Sequence, residues 1–125
     1  MERTIRRERE ETFRALRALF APYASRLTAS ADDANTYMLT GAHSRDLKQP
    51  MFFGGVRLGK NYVSYYLMPV YTNPELLSRI SDALRRRLHG KTCFNFTRPD
   101  PELFAELAEL TEKGFKRYVR EGFVR

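Results

Sequence analysis

The sequence predicts an α+β protein, a two-layer sandwich in which helices pack on one mostly antiparallel sheet of four strands or slightly more. Amphipathic helical patterns stand near both ends of the chain. Between them lie a strong hairpin signal at Met51–Tyr71 and a last short strand at Thr92–Thr97. The predicted order is α-β-β-β-α-β-α. Residues 1–125 are expected to form a single domain, because a chain of 125 residues suits one core.

The first helix is predicted from about Arg6 to Leu27. Its apolar residues recur at three- and four-residue spacings and form one face: Phe13, Leu16, Phe20, Tyr23 and Leu27. Pro22 interrupts the pattern, and a break or kink is expected there because proline removes a backbone donor. The small, polar run Thr28–Asp33 is predicted to be a loop.

Three strand candidates follow. Thr36–Thr40 is a short one, and Ala42–Gln49 after it is predicted to be an exposed loop. Met51–Leu58 and Tyr62–Tyr71 are stronger candidates, since they are rich in aromatic and β-branched residues. Gly59–Asn61 separates these two strands with residues that tolerate positive φ, as a tight hairpin turn requires.

The turn length decides which side chains share a face of the hairpin. A two-residue turn at Lys60 and Asn61 would pair Leu58 with Val63, Val56 with Tyr65, and Gly54 with Leu67. A core face would then collect Phe52, Val56, Leu58, Val63, Tyr65 and Leu67. A second face would collect Phe53, Gly55, Arg57, Tyr62, Ser64, Tyr66 and Met68. A three-residue loop would mix the two faces, and this alternative stays open.

The second half of the chain predicts a helix, a strand and a final helix. Asn73 and Pro74 are a cap and a first helical position, and Gly90 is a natural stop. The apolar stripe of this helix is Leu76, Leu77, Ile80, Leu84 and Leu88. Asp100-Pro101 repeats the cap signal. The buried side of the final helix is predicted to be Leu103, Phe104, Leu107, Leu110, Phe115, Tyr118 and Val119.

Composition indicates the cellular compartment and the partners of the protein. No apolar run approaches the roughly 20 residues that cross a bilayer, the start of the chain is charged rather than signal-like, and Cys93 is the one cysteine. A cytoplasmic protein with no membrane partner is therefore expected. The net charge of +7 suggests nucleic acid. In the final helix, however, acids precede bases and complement the helix dipole, which weighs against that partner. A solvated helix end is favoured for the arginine-rich start at Arg3–Arg9.

No motif predicts catalysis, and an enzyme is the least favoured class. Gly54–Asn61 nearly matches a phosphate-binding loop, but Asn61 replaces the hydroxyl residue and a strand follows instead of a helix. His89 and Cys93 are four apart, with no third metal ligand nearby. An exposed helix-end histidine and a buried thiol are expected, with no histidine brought to Cys93. No metal site and no cofactor are predicted.

The second face of the hairpin is the candidate site. Its tyrosines are too apolar for plain solvent, while polar side chains beside them could fix a ligand. The predicted ligand-binding residues are Arg57, Tyr62, Ser64, Tyr66 and Asn95. Arg57 would pair with an anionic group, the tyrosines would stack, and Ser64 and Asn95 would orient the ligand. Gly55 would leave room for a ring. Alternatively, the first helix or a second subunit covers this face, as in a homodimer.

The run from Phe53 through Leu110 resembles the YdhG-like family of bacterial domains of unknown function. The resemblance rests on GGVRLGKNYVSYYLMPVY, GKTCFNF and PDPELFAELAELTEKGF, whereas the family's Ser-Tyr-Gly-Met-Pro-like segment is absent after the first helix. It implies a compact α/β sandwich with a curved antiparallel sheet. Some members are frataxin-like iron chaperones, which implies acidic oxygen ligands. Here Glu8, Glu10 and Glu11 are interleaved with arginines, which weighs against iron.

The predicted function is a non-enzymatic module that binds an unknown small molecule or protein on one sheet face. The first alternative is frataxin-like intracellular iron handling. The second is nucleic-acid binding through basic helix ends, namely the first helix and the triplet Arg85–Arg87.

Overall fold

The computed structural model describes residues 2–41 and 50–124, and it contains an antiparallel sheet with four helices. The strands are β1 (Thr28–Asp32), β2 (Thr36–Thr40), β3 (Phe52–Leu58), β4 (Val63–Leu67), β5 (Leu88–His89) and β6 (Cys93–Phe96). The helices are α1 (Glu2–Ala18), α2 (Pro69–Thr72), α3 (Asp82–Arg85) and α4 (Pro101–Arg120). The strand order is β1-β2-β3-β4-β6-β5. The α+β class is confirmed. The four-strand count and the element order are wrong, because β1 and β5 add two strands within the described residues.

Both long helices pack on the same face of the sheet. Phe20, just beyond α1, stacks on Tyr65 of β4 with ring centroids 4.9 Å apart. The Tyr65 hydroxyl is hydrogen-bonded to Thr111 of α4, and Phe96 of β6 meets Phe104 edge-on. Burial of each large apolar side chain contributes about 1.5–3 kcal/mol. This layer of aromatic rings therefore holds the helices to the sheet.

The first helix ends earlier than predicted. α1 stops at Ala18, and a 3₁₀ turn over Ala21–Arg26 carries the chain onward. Pro22 lies at the start of that turn, where its missing N–H costs no hydrogen bond. The predicted apolar face is still used, since Phe13 and Leu16 are buried in the core.

The segment predicted as a loop after the first helix is the edge strand β1. Its side chains are mostly exposed, so no apolar alternation marks it in the sequence. Its pairing with β2 shifts between Ala29 and Ala31. Such a bulge discourages an edge strand from pairing with other chains. The strand Thr36–Thr40 is confirmed, and the predicted loop Ala42–Gln49 lies outside the described residues.

The predicted register of the central hairpin is confirmed. Leu58 pairs with Val63, Val56 with Tyr65, and Gly54 with Leu67. The Gly59 N–H donates to the Tyr62 carbonyl at 2.9 Å, which closes a two-residue turn. The expected positive φ is wrong, because in the described chain only Gly90 and Gly122 have it. Instead the Arg9 guanidinium of α1 donates to the carbonyls of Gly59 and Lys60, which ties the turn to the helix.

One pair of side chains exchanges faces relative to the prediction. Phe53 is fully buried in the core, while Phe52 is half-buried on the other face. Leu39 pairs with Gly54 but Thr40 pairs with Phe52, so Phe53 lies at a bulge that displaces the alternation by one residue. Phe53 then makes edge-on ring contacts with Phe20, Phe115 and Tyr118.

The continuous helix predicted after Asn73 is wrong. The chain instead forms a 3₁₀ turn at Pro74–Leu77, then α3, then β5. Ser81 caps α3 by accepting a hydrogen bond from the Leu84 N–H at 3.1 Å. The Glu106 carboxylate of α4 accepts from the Ser81 N–H at 2.7 Å and from its hydroxyl at 2.6 Å. These bonds favour a new helix start in the middle of the apolar stripe.

Asn73 itself is buried and does not cap a helix. Its side-chain amide donates to the Pro69 carbonyl at 3.2 Å, and its amide oxygen accepts from Arg117 of α4. The predicted stop residue, Gly90, lies in the β5–β6 turn with φ of 66°, a conformation that favours glycine. Both residues thus serve a compact connection rather than a helix.

The final helix follows its prediction closely. Asp100 caps α4 by accepting from the Leu103 N–H at 3.2 Å. Its predicted buried side is confirmed except for Val119, which is 38% exposed. Gly114 lets α2 approach, since an added Cβ would lie 2.9 Å from Pro69. Among the described residues, no helix is both long and apolar enough to cross a membrane.

Candidate functional site

Three of the five predicted ligand-binding residues form one row across the sheet. Arg57 of β3 pairs with Ser64 of β4, which pairs in turn with Asn95 of β6. Thr36 of β2 extends the row on the other side of Arg57. Side chains of directly paired residues have Cβ atoms about 4.5–5.5 Å apart. The hairpin register brings the cation and the hydroxyl together, and the pairing of β4 with β6 adds the amide.

A second row runs beside the first on the same face. Met38, Gly55, Tyr66, Cys93 and His89 are successive cross-strand partners. Together the two rows form the second face of the sheet as the structure has it. From here on this name means nine residues, which differ in part from the predicted set: Thr36, Met38, Gly55, Arg57, Ser64, Tyr66, His89, Cys93 and Asn95. Tyr66 is half-buried there, two positions from Ser64 on β4. It is the fourth predicted residue that the structure brings to this cluster.

The fifth predicted residue, Tyr62, lies at the margin of the cluster. It ends the hairpin turn and is 48% exposed, outside the paired part of β4. Strand alternation points it to the same side as Ser64 and Tyr66. Its ring can reach a ligand that extends to the hairpin tip, but it does not form part of the two rows.

A hydrogen-bond network fixes the polar side chains of the second face. The Ser64 hydroxyl donates to Asn95 Oδ1 at 2.7 Å. The Cys93 thiol donates to the same oxygen at 3.2 Å. The side-chain oxygen of Asn95 is therefore occupied. Its side-chain NH₂ makes no hydrogen bond to a described residue, so this group is left to donate to a ligand. The amide is thereby oriented before any ligand arrives.

The space over Gly55 is already filled. A Cβ added there would lie 2.5 Å from Met38 Sδ and 2.3 Å from the Tyr37 carbonyl oxygen. The expectation that Gly55 leaves room for a ligand ring is therefore wrong. Glycine is required because β2 and its methionine pack directly over this position. The available surface lies towards Arg57 and Tyr66 instead.

Arg57 supplies the charge of the second face. Its side chain is exposed, and it makes no hydrogen bond or ion pair with the residues that the structure describes. No Asp or Glu is among the nine residues of this face. A guanidinium with five donors and no acidic neighbour in its rows favours an anionic group.

The first helix does not cover the second face. α1 and α4 both pack on the opposite face, where Phe20 and Thr111 contact Tyr65. The predicted alternative in which the first helix covers the tyrosines is therefore wrong. Cover by a second subunit stays a prediction.

His89 and Cys93 are closer than the sequence indicated. They are direct cross-strand partners in the β5–β6 hairpin, so the prediction that no histidine comes near Cys93 is wrong. Burial raises the pKa of the Cys93 thiol, with a smaller opposing effect from its hydrogen-bonding neighbour Ser64. A cysteine with a raised pKa is a poor nucleophile at neutral pH. The pair therefore does not indicate covalent catalysis.

The described residues offer no metal centre. Nowhere in residues 2–41 and 50–124 do three His, Cys, Asp or Glu side chains come together. Glu10 lines a groove whose other charged side chains are arginines. A hard cation prefers several oxygen ligands around one point.

Part of this site could be found from the sequence and part could not. The alternation in TYMLT places Thr36 and Met38 opposite Tyr37 and Leu39, a signal that would have added them to the second face. The sequence does not predict His89 on this face, because β5 has only two residues and continues an apparently helical pattern.

No family model, no curated protein and no solved structure matches this chain. Membership of the YdhG-like family accordingly stays a prediction.

Proposed function

We propose that this protein is a non-enzymatic binding module that holds a small, planar, anionic ligand on the second face. The observation that carries the proposal is the row Arg57, Ser64 and Asn95, with Tyr66 beside it. A cation, two fixed hydrogen-bonding groups and an aromatic ring are the elements that orient a small ligand.

Each side chain has a distinct role in this proposal. The exposed Arg57 guanidinium pairs with the anionic group of the ligand, and a charge-assisted bond is about twice as strong as a neutral one. The Tyr66 ring packs against the planar body, and Tyr62 encloses it from the hairpin tip. Asn95 donates through its side-chain NH₂ because Ser64 and Cys93 occupy its oxygen.

Frataxin-like iron handling receives no support from the geometry. The acids named for it, Glu8, Glu10 and Glu11, belong to no three-membered cluster of potential ligands in the described part of the chain. Iron binding that disappeared on their neutralisation would favour this alternative instead. Calorimetry of the protein with ferrous iron under anaerobic conditions is the direct measurement.

The proposal is tested with phenyl phosphate, which combines a ring with an anion, and with phenol, which has no charge. We expect phenyl phosphate to shift the amide resonances of residues 57, 64, 66 and 95 in a two-dimensional ¹H–¹⁵N spectrum. Phenol should bind at least about tenfold more weakly, because loss of one charged hydrogen bond costs about 1.5–3 kcal/mol.

Two tyrosine variants provide the matched comparison. Tyr66→Ala should abolish the shifts, while Tyr71→Ala should leave them unchanged, because Tyr71 is 51% exposed and belongs to α2 outside the sheet. The proposal is wrong if Tyr66→Ala responds like the wild type, if phenol binds as well as phenyl phosphate, or if neither probe perturbs the second face.

A further inference from the structure

A groove lies on the helix side of the molecule, apart from the second face. It runs between α1 and the tips of the β1–β2 and β3–β4 hairpins. Two adjoining cavities form it, of about 320 and 420 Å³, and they share Glu10, Asn35 and Leu58 as lining residues. Nothing in the sequence pattern indicated a concave surface here.

The charge of the groove is strongly one-sided. Its lining includes four arginines and one acid: Arg6, Arg9, Arg14, Arg17 and Glu10. The floor is apolar, with Phe13 buried at 6% exposure and Leu58 half-buried. A surface of this kind suits a ligand that combines several anionic groups with an uncharged body.

Two of the four arginines are engaged by the protein. Arg17 forms an ion pair with Asp32 at 2.8 Å, and its guanidinium lies 3.9 Å from the centroid of the Tyr37 ring. Arg9 donates to the carbonyls of the β3–β4 turn, yet its Nε is buried with no hydrogen-bond partner among the described residues. These two side chains hold the walls of the groove in place.

The other two arginines are available to a ligand. Arg6 and Arg14 are exposed, and neither makes a hydrogen bond or an ion pair with any residue the structure describes. Three of the four basic residues of α4 differ, since Lys113, Lys116 and Arg117 pair with glutamates. Arg6 and Arg14 thus contribute to the formal net charge of +7 without an acidic partner among the described residues.

The spacing of Arg6 and Arg14 selects the kind of anion. They are eight residues apart on one helix, which places them about 12 Å apart along its axis at a rise of 1.5 Å per residue. With their side chains extended along the groove, the two guanidinium groups can each contact a separate phosphate. Phosphates along a nucleic-acid strand meet this requirement, and the sugars or bases between them would contact the half-buried Leu58. A duplex is too wide to enter a concave groove of this volume.

We propose that this groove binds a short single-stranded segment of nucleic acid, with phosphates on Arg6 and Arg14. Binding is expected to be sequence-tolerant, because arginine–phosphate contacts carry no base information. This proposal does not depend on the ligand proposed for the second face, so either proposal can be wrong while the other holds.

The test is fluorescence anisotropy of a labelled oligothymidylate of about ten nucleotides, titrated with the full chain at several salt concentrations. The variant Arg6→Gln/Arg14→Gln should weaken binding about tenfold or more and lower the salt slope by about 1.4, at about 0.7 for each phosphate contact. The control Arg86→Gln/Arg87→Gln removes the same charge from exposed positions outside the groove and should retain wild-type affinity. Both variants should keep the wild-type melting temperature, since none of these side chains is buried.

Four results would overturn the proposal. Equal losses in the two double variants would indicate diffuse electrostatic attraction. Competition by inorganic triphosphate as effective as that by unlabelled oligonucleotide would indicate a site for phosphate chains alone. Loss of binding in Tyr66→Ala would move the nucleic acid to the second face. Absence of binding at low salt would exclude single-stranded nucleic acid as a ligand of the groove.

Discussion

At the residue scale, the buried contact between Tyr65 and Thr111 has a defined direction. The Thr111 hydroxyl donates to the Leu107 carbonyl at 2.7 Å, within α4. A hydroxyl has one proton, so Tyr65 must be the donor in its bond to Thr111 Oγ1. Both residues are fully buried. The Tyr65 hydroxyl therefore depends on Thr111 for its acceptor, whereas the Thr111 hydroxyl has its own acceptor in Leu107.

This asymmetry predicts unequal costs for two conservative substitutions. Thr111→Val leaves the Tyr65 hydroxyl buried without an acceptor, and should lower the free energy of unfolding by about 1–3 kcal/mol. Tyr65→Phe leaves Thr111 still bonded to Leu107, and should cost about 0.5–1.5 kcal/mol. Urea denaturation of the two variants measures the difference. An equal or larger loss in Tyr65→Phe would contradict the assigned direction.

The double variant supplies the control. Thr111→Val combined with Tyr65→Phe removes both polar groups, so it should be more stable than the sum of the single losses implies. Strict additivity would mean that the two side chains do not interact in solution.

Residue-level prediction from sequence succeeded where alternation is regular and failed where it is interrupted. The pairing of Arg57 with Ser64 follows from the hairpin register, which also places Tyr66 on the same face. Phe53 was assigned to the wrong face because a bulge depends on the contact with β2, which local sequence does not report. The contact of Arg9 with the hairpin turn spans 50 residues and has no sequence signal.

At the element scale, the errors between Asn73 and Gly90 fall on short elements. β5 has two residues, α3 has four, and both lie inside a stripe of leucines with helical spacing. Local propensity favours one helix there, but tertiary hydrogen bonds that Ser81 donates to the Glu106 carboxylate favour a break. α4 was predicted well because its cap, its length and its stripe agree.

The cap at Ser81 gives the prediction that belongs to this scale. Ser81→Ala should lower the free energy of unfolding by about 1 kcal/mol, because it removes the acceptor for the Leu84 N–H. Ser78→Ala is the matched control, since its hydroxyl only donates to the nearby Glu75 carbonyl. Denaturant unfolding of both variants measures the difference. If Ser78→Ala cost as much as Ser81→Ala, the break would not depend on the cap.

At the scale of the whole molecule, the helices and the sheet bury one core and leave two separate surfaces outside it. The helices and the inner sheet face share one cluster of buried side chains, in which tyrosines supply polar atoms as well as area. The second face and the groove beside α1 lie outside that cluster and are the two surfaces to which we assign ligands. Substitutions in Arg6, Arg14 and Arg57 should therefore change binding without changing stability.

The tyrosines of the core make the fold sensitive to alkali. Burial raises the pKa of Tyr65 and of Tyr118 well above the usual tyrosine value of about 10. In the unfolded chain both hydroxyls lose their protons near that usual value, while in the folded chain they keep them. Above pH about 10 the unfolded state thus binds fewer protons, and the free energy of unfolding falls as pH rises.

The contribution of each of the two tyrosines should reach about 1.4 kcal/mol per pH unit, and these two contributions should be absent below pH about 9. Urea denaturation from pH about 8 to about 11 measures it. Tyr65→Phe/Tyr118→Phe should make the dependence shallower and leave the contributions of Tyr23 and Cys93, whose pKa values burial also raises. Tyr118 also donates to the Phe52 carbonyl, so its loss lowers stability at every pH. Tyr62→Phe is the control, because Tyr62 is exposed and should retain the wild-type slope. A double variant as steep as the wild type would assign the alkaline sensitivity to other groups and not to the two buried hydroxyls.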